Sequence, residues 1–358
     1  MTNDPHVHWN PVWSPDGRYL YFSSDRNGSM NLWRIRIDEV SGQTLANAEP
    51  VTTPSPYSGF LSFSRDGRSL AYAQQIRNWN IYKIPFDPEK EATDGRPEPI
   101  TRGSSEAVYP DVSTDGQWIA FTTRLTPENV YVAKTDGSGL RQLTDDVVYQ
   151  CALPRWSPDG KQIAFFSNRS GRPQIWTIKP DGSNLQQLTD APGVGCQTPV
   201  WSPDGKRLVC TRFGEMPLIL ETGKSWKEQA PQELPAPSEP GASFSVWSWS
   251  PDGLWLAGSM IRKDGRQLGM SIYSFALRTY ERFLPSRLGG DWLRDSRRLL
   301  FEYQGKLYLI DRQSKRRHEV LSVAPYEIRP QFRLSPDNRL IVFTLDIAES
   351  DIWLMKFE

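Results

Sequence analysis

The five residues W-S-P-D-G stand at 13–17 and return at 156–160, 201–205 and 249–253. A recurring aspartate invites assignment as a general acid or base, chemistry that needs a second carboxylate or a histidine held at fixed spacing. Related copies open at Trp13, Phe63, Val112, Trp156, Trp201, Trp249, Trp292 and Leu334. Pro gives way to Arg65, Thr114 and Arg294, and Gly to Ser296 and Asn338. Asp16, Asp66, Asp115, Asp159, Asp204, Asp252, Asp295 and Asp337 nevertheless fill all eight copies. No copy brings a partner group at fixed spacing. These carboxylates therefore read as structural acceptors in a turn, where Pro presets φ, Asp bonds nearby backbone N–H groups and Gly takes the left-handed conformation.

The cations are more suggestive of binding. Arg26, Arg77, Arg124, Arg169, Arg212 and Arg262 follow the opening position of copies one to six by 11 to 14 residues, at or just past the end of the second strand. In a four-stranded meander those loops share a rim with the segments that lead into each inner strand. Six guanidinium groups on one rim suit an anionic ligand or an acidic peptide. The competing assignment ties them to neighbouring carbonyls or to rim acids such as Asp4, Glu106, Asp145 and Asp190. Trp9 and Tyr109, with Tyr57, Tyr149, Phe244 and Tyr326, are candidate aromatic anchors in the leading segments.

Classical catalytic signatures are missing from the sequence: it has no G-x-S-x-G elbow and no G-x-x-x-x-G-K-[ST] phosphate loop. Histidine is confined to His6, His8 and His318. His8, Cys151 and Cys196 occupy the same slot five residues before the opening position, but no carboxylate joins them, so no metal or other cofactor is expected. The three cysteines, Cys151, Cys196 and Cys210, form no C-x-x-C pair, and a disulfide framework is not expected; a Cys151–Cys196 bridge would strain the spacing of adjacent inner strands.

Each copy continues in one way. An apolar strand such as K-Q-I-A-F-F-S (161–167) is followed by a polar loop, then Q-I-W-T-I (174–178), a D-G turn and L-Q-Q-L-T (185–189). Four short strands per period of 42 to 50 residues is the pattern of a propeller blade. The expected fold is an all-β β-propeller of eight four-stranded blades, or seven if one end copy stays incomplete, spanning 1–358 as a single domain. Residues 216–245 read as a Pro-rich insertion in copy five. The last copy supplies three strands and no fourth, and Thr2 falls where other copies end their fourth strand, so the chain is expected to be part of something longer.

W-S-P-D-G followed by x-x-I-A-F, I-W or I-Y, D-G-S and L-T resembles the TolB-like, WD-repeat-like β-propeller family over essentially the whole chain. The closing S-D-I-W-L-M (350–355) is most similar to propellers linked to bacterial protein kinases and winged-helix regulators. That resemblance implies interaction scaffolds, ligand sensors or gating domains of oligopeptidases.

Lys plus Arg and Asp plus Glu number 42 each, so no bulk charge argues for nucleic acid or an anionic membrane. No apolar run reaches the roughly 20 residues of a membrane span, and the first ten residues carry no signal-peptide pattern. A cytoplasmic setting is slightly favoured. The expected function is a non-catalytic recognition or sensor module for a protein, peptide or small ligand at the rim or channel, reporting to an upstream kinase or winged-helix domain. The alternative is a propeller lyase or hydrolase acting on a sugar acid or peptide at the channel.

Overall fold

The S-P-D-G hairpins set the geometry of every sheet. In copy four, the Gly160 N–H donates to the Ser157 carbonyl at 2.9 Å, and Gly160 lies at φ +69°. This closes a type I turn with a left-handed exit and folds the inner strand Cys151–Trp156 back against Ile163–Ser167. All five residues of Ile163–Ser167 are buried, because other sheets cover both faces, and Ala, Ile and Phe therefore follow one another without alternation.

In this computed structural model, residues 6–26, 30–52, 58–103, 106–124, 127–284 and 290–357 are described, without the side chains of 75–77 and 349. They form an all-β propeller chain in two compact units, 1–78 with 347–358 and 79–346. Among the described residues these make six four-stranded sheets, one in the first unit and five in the second, and one six-stranded sheet whose two long strands have residues in both. The first unit holds the sheet of copy one, with Phe22, Trp33, Ile35 and Ile37 at its core. It also holds the inner strand of copy two, Ser58–Phe63, whose Phe63 packs with Tyr21, Leu70 and Phe357.

In the second unit, the inner strands Ala107–Val112, Cys151–Trp156, Gln197–Trp201, Ala242–Trp249, Asp291–Trp292 and Glu327–Leu334 pack in succession. The last lies against the first, and the ring of six closes. Apolar clusters fill the gaps between sheets: Trp156 of copy four sits among Ala120, Val130 and Val132 of copy three.

The closing sheet is composite. Copy eight supplies Glu327–Leu334 and the first part of Leu340–Lys356, and copy two supplies the second part of Ser69–Asp87 and Glu98–Pro99. Ile81 and Val342 share one apolar cluster, and the Phe86 N–H donates to the Arg339 carbonyl at 2.9 Å. Ser69–Asp87 and Leu340–Lys356 are continuous strands of 19 and 17 residues, where the other copies have a turn. Their connectors, Q-Q-I-R-N (74–78) and D-I-A-E-S-D (346–351), contain neither Gly nor Pro, whereas every other copy has one or both at this place. The third strand expected from copy eight is thus the continuation of its second and belongs to the first unit.

Two further readings are corrected. Residues 216–245 are no simple insertion, because they contain the third and fourth strands of copy five, Leu218–Glu221 and Gln232–Glu233, with Met216, Leu218, Ile219, Leu220 and Leu234 buried. Pro-rich flanks disguised a short apolar strand. Cys196, the residue just before the strand Gln197–Trp201, forms a disulfide with Cys210 of the adjacent strand Arg207–Thr211 at a Cα separation of 5.5 Å, and Cys151 stays a buried thiol. The mates stand across one hairpin from each other, a relation that C-x-x-C spacing does not test.

Candidate ligand-binding channel

The inner strands of copies three to five share a bulge. Tyr109, Leu153 and Thr198, three residues before the opening position, have φ of 55°, 58° and 48°, and the ladder to the next strand slips by a residue there. Pro110, Pro154 and Pro199 follow, each unable to donate to a ladder. Past the bulge, the residue just before the opening position reaches the bore in all six copies: Asp111, Arg155, Val200, Ser248, Asp291 and Arg333 line a cavity of about 400 Å³. Trp156, Trp201, Trp247, Trp249 and Trp292 also line it, and the exposed Arg294 stands at the S-P-D-G mouth.

Most of these side chains stitch one blade to the next. Asp111 accepts from the Trp156 N–H at 2.7 Å, and Asp291 from the Leu334 N–H at 2.9 Å. Ser248 donates to the Gly290 carbonyl at 2.5 Å, and the Trp201 indole donates to the Arg155 carbonyl at 3.1 Å. Arg333 crosses the bore: its Nε lies 3.4 Å from Asp111 in copy three, and its Nη2 donates to the Trp247 carbonyl in copy six at 3.2 Å. In a ring of six, those copies face each other.

Arg155 is held differently. It is 6% exposed and donates from Nη1 to the Pro154 carbonyl at 2.9 Å, while its Nε finds no acceptor. Burial first, and then the nearby Arg333, push its pKa down to about 9, so it remains a cation at neutral pH. Burial likewise raises Asp111, against the attraction of Arg155 and Arg333.

The rim arginines lie at the other end of the ring, where the inner strands begin: Ser167, two residues before Arg169, pairs with Cys151. Arg124 is 3.8 Å from Glu106 and 4.7 Å from the Trp79 ring. Arg169 binds Asp146 at 2.5 Å and the Cys151 sulfur at 3.2 Å, and covers Trp176. Arg212 pairs with Glu215 and Glu233, and Arg262 with Glu239 and Asp264. Arg26 and Trp9 belong to the first unit, near Phe22 and Phe60 respectively. Tyr109 packs against the core between copies four and five. The Arg77 side chain and Tyr57 lie outside the described residues, as does Asp4. Asp16, Asp66, Asp115, Asp159, Asp204, Asp252 and Asp337 each accept from the serine two residues earlier. Asp295, whose copy has Leu293 there, accepts from the Arg297 and Arg298 N–H groups and the Arg298 side chain. Among the described residues, no cluster of three His, Cys, Asp or Glu is placed to hold a metal, and no helix is long and apolar enough to cross a membrane.

Residues 62–224 match the family described as the TolB beta propeller domain. TolB from Acinetobacter baumannii is similar in structure over 97% of this chain and 81% of that one, with a TM-score of 0.52 at 14% identity. The fold is that of a TolB-like propeller. A puromycin-hydrolyzing peptidase of Mycobacterium tuberculosis gives a TM-score of 0.43 at 13% identity over 86% of this chain and 58% of that one. An uncharacterized protein of Agrobacterium fabrum is 45% identical over 38 residues, which span 11% of this chain and 13% of that protein.

The channel residues of copies three to eight carry a signal in the sequence, one residue ahead of the W-S-P-D-G motif. Read one residue before each opening, the eight copies give Val12, Ser62, Asp111, Arg155, Val200, Ser248, Asp291 and Arg333. The series V-S-D-R occurs twice.

Proposed function

We propose that this propeller is a non-catalytic recognition module that takes part of a protein, a peptide or a small ligand into the channel mouth on the S-P-D-G side. The observation that carries this reading is the convergence of six inner strands on one cavity lined by tryptophans and by two buried arginines, the residue types that anchor binding interfaces. The carboxylates there are committed to neighbouring backbone or to arginine. Reporting to an attached or associated kinase or winged-helix domain belongs to the same proposal.

The test is capture of interacting proteins by immobilised chain. Arg294→Glu reverses an exposed charge at the mouth and is expected to lower capture at least tenfold with an unchanged melting temperature. Joint replacement of Arg124 and Arg169 by Ala should leave the captured set intact. The opposite pattern would move the site to the other rim, and turnover of uronic acid oligomers or peptides by pure protein would replace recognition by catalysis.

A further inference from the structure

Resting on the channel-recognition reading, we propose that the channel holds a carboxylate against Arg155, the anionic end of a ligand whose apolar body lies along Val200 and Trp247. The argument begins with the order of charges around the ring. Asp291, Arg333, Asp111 and Arg155 follow one another through copies seven, eight, three and four, and the neutral Val200 and Ser248 complete the circle. Arg333 has an acid in each adjacent copy and anchors itself on Asp111. Arg155 has an acid on one side only. No carboxylate oxygen sits within ion-pair distance of it among the described residues, and its buried Nε is unmatched.

A buried guanidinium without a full set of acceptors is costly, and an anion on its open side removes that cost. Carboxylate geometry matches the guanidinium fork with two parallel hydrogen bonds. The ligand is limited in size, because about 400 Å³ is near the lower end for small-molecule sites and Arg333 bars the bore. One acid group on a short apolar or aromatic body fits; a long polyanion does not. Two sources present that chemistry, a free small acid and the C-terminus of a protein chain.

The probes are 3-phenylpropionate and its uncharged amide, titrated calorimetrically into the full chain at pH 7. The acid is expected to bind and the amide to bind at least tenfold more weakly. Arg155→Met should remove the difference, Arg155→Lys should keep part of it, and Val200→Asp should displace the acid by placing a carboxylate beside Arg155 from within. Equal binding of acid and amide, no binding of either, or an unchanged acid affinity in a folded Arg155→Met or Val200→Asp protein would overturn the assignment. The acid-against-amide comparison needs no variant, so it decides even if both variants misfold. A pentapeptide ending in Phe, with free or amidated C-terminus, separates the sources: tighter binding of the free-acid peptide than of phenylpropionate assigns a chain end, and weaker or equal binding assigns a small acid. If the acid fails while Arg294→Glu still abolishes capture, the carboxylate assignment falls and channel recognition stands.

Discussion

Asp159 shows what one residue contributes to the repeat. Its Oδ1 accepts from the Ser157 hydroxyl at 2.6 Å and from the Lys161 N–H at 3.1 Å, while Ser157 Oγ accepts from the Gln162 N–H at 3.0 Å. Replacing it by Ala removes two acceptor contacts at a half-exposed site, so Asp159→Ala is expected to cost about 1 kcal/mol in a denaturant melt. The same bonds hold its carboxyl below the ordinary value of 3.8, with Ser157 the largest cause, as serines do for Asp16, Asp66, Asp115 and Asp204. A carboxyl lowered on folding adds stability above its unfolded value and loses it as pH falls toward its folded value. Melting temperature should therefore be level from pH 7 to about pH 5 and drop below about pH 4, and in Asp159→Asn the drop should be shallower. An acid-side drop as steep in Asp159→Asn would detach these carboxylates from it. The turn was legible because all its atoms lie within six residues of sequence.

At the scale of a strand, the bulge explains both a success and a miss. Cys151 and Trp156 are five residues apart, an odd separation that ordinary pleating would put on opposite faces, yet both lie in one apolar cluster. Their partners, Ser167 and Ile163, are only four apart, so the inner strand holds one extra residue. The slot of His8, Cys151 and Cys196 therefore does not open on the bore: Cys151 and Cys196 are fully buried. In copies three to eight the bore belongs to the residue before the opening, a shift that alternation alone cannot foresee. Two glycines test local geometry. Gly116 sits at φ +70° with open space around a would-be Cβ, so Gly116→Ala should cost about 1 kcal/mol, all of it backbone strain. Gly258 has ordinary φ, but a Cβ there would meet the Ser245 carbonyl and come within 2.7 Å of the Phe244 ring. Gly258→Ala should then cost about 3 kcal/mol, and the reverse ranking in paired melts would show that the inner strand of copy six yields more easily than the left-handed turn of copy three.

For the whole molecule, periodicity shows how many sheets there are, and connectors decide which strands share them. W-S-P-D-G spacing marks eight copies because each turn is local, but the mating of copy two with copy eight joins residues more than 250 positions apart in sequence, as with Phe86 and Arg339. No local pattern carries such a pairing. It rests on two connectors without Gly or Pro and on the apolar match of Ile81 with Val342 and of Tyr82 with Phe343, whose rings stack at 6.4 Å. A ring whose last sheet is built from both ends of its segment has no unpaired closing edge, and cooperative stability follows from that closure. Residues 79–346 expressed alone contain all six inner strands and both halves of the composite sheet. They are expected to melt in a single transition with an all-β circular dichroism spectrum. Residues 79–339 lack Leu340–Asp346, the strand that joins the copy-eight inner strand to copy two, and are expected to lose that single transition. Equal melting of the two segments would mean that the ring holds without its composite sheet.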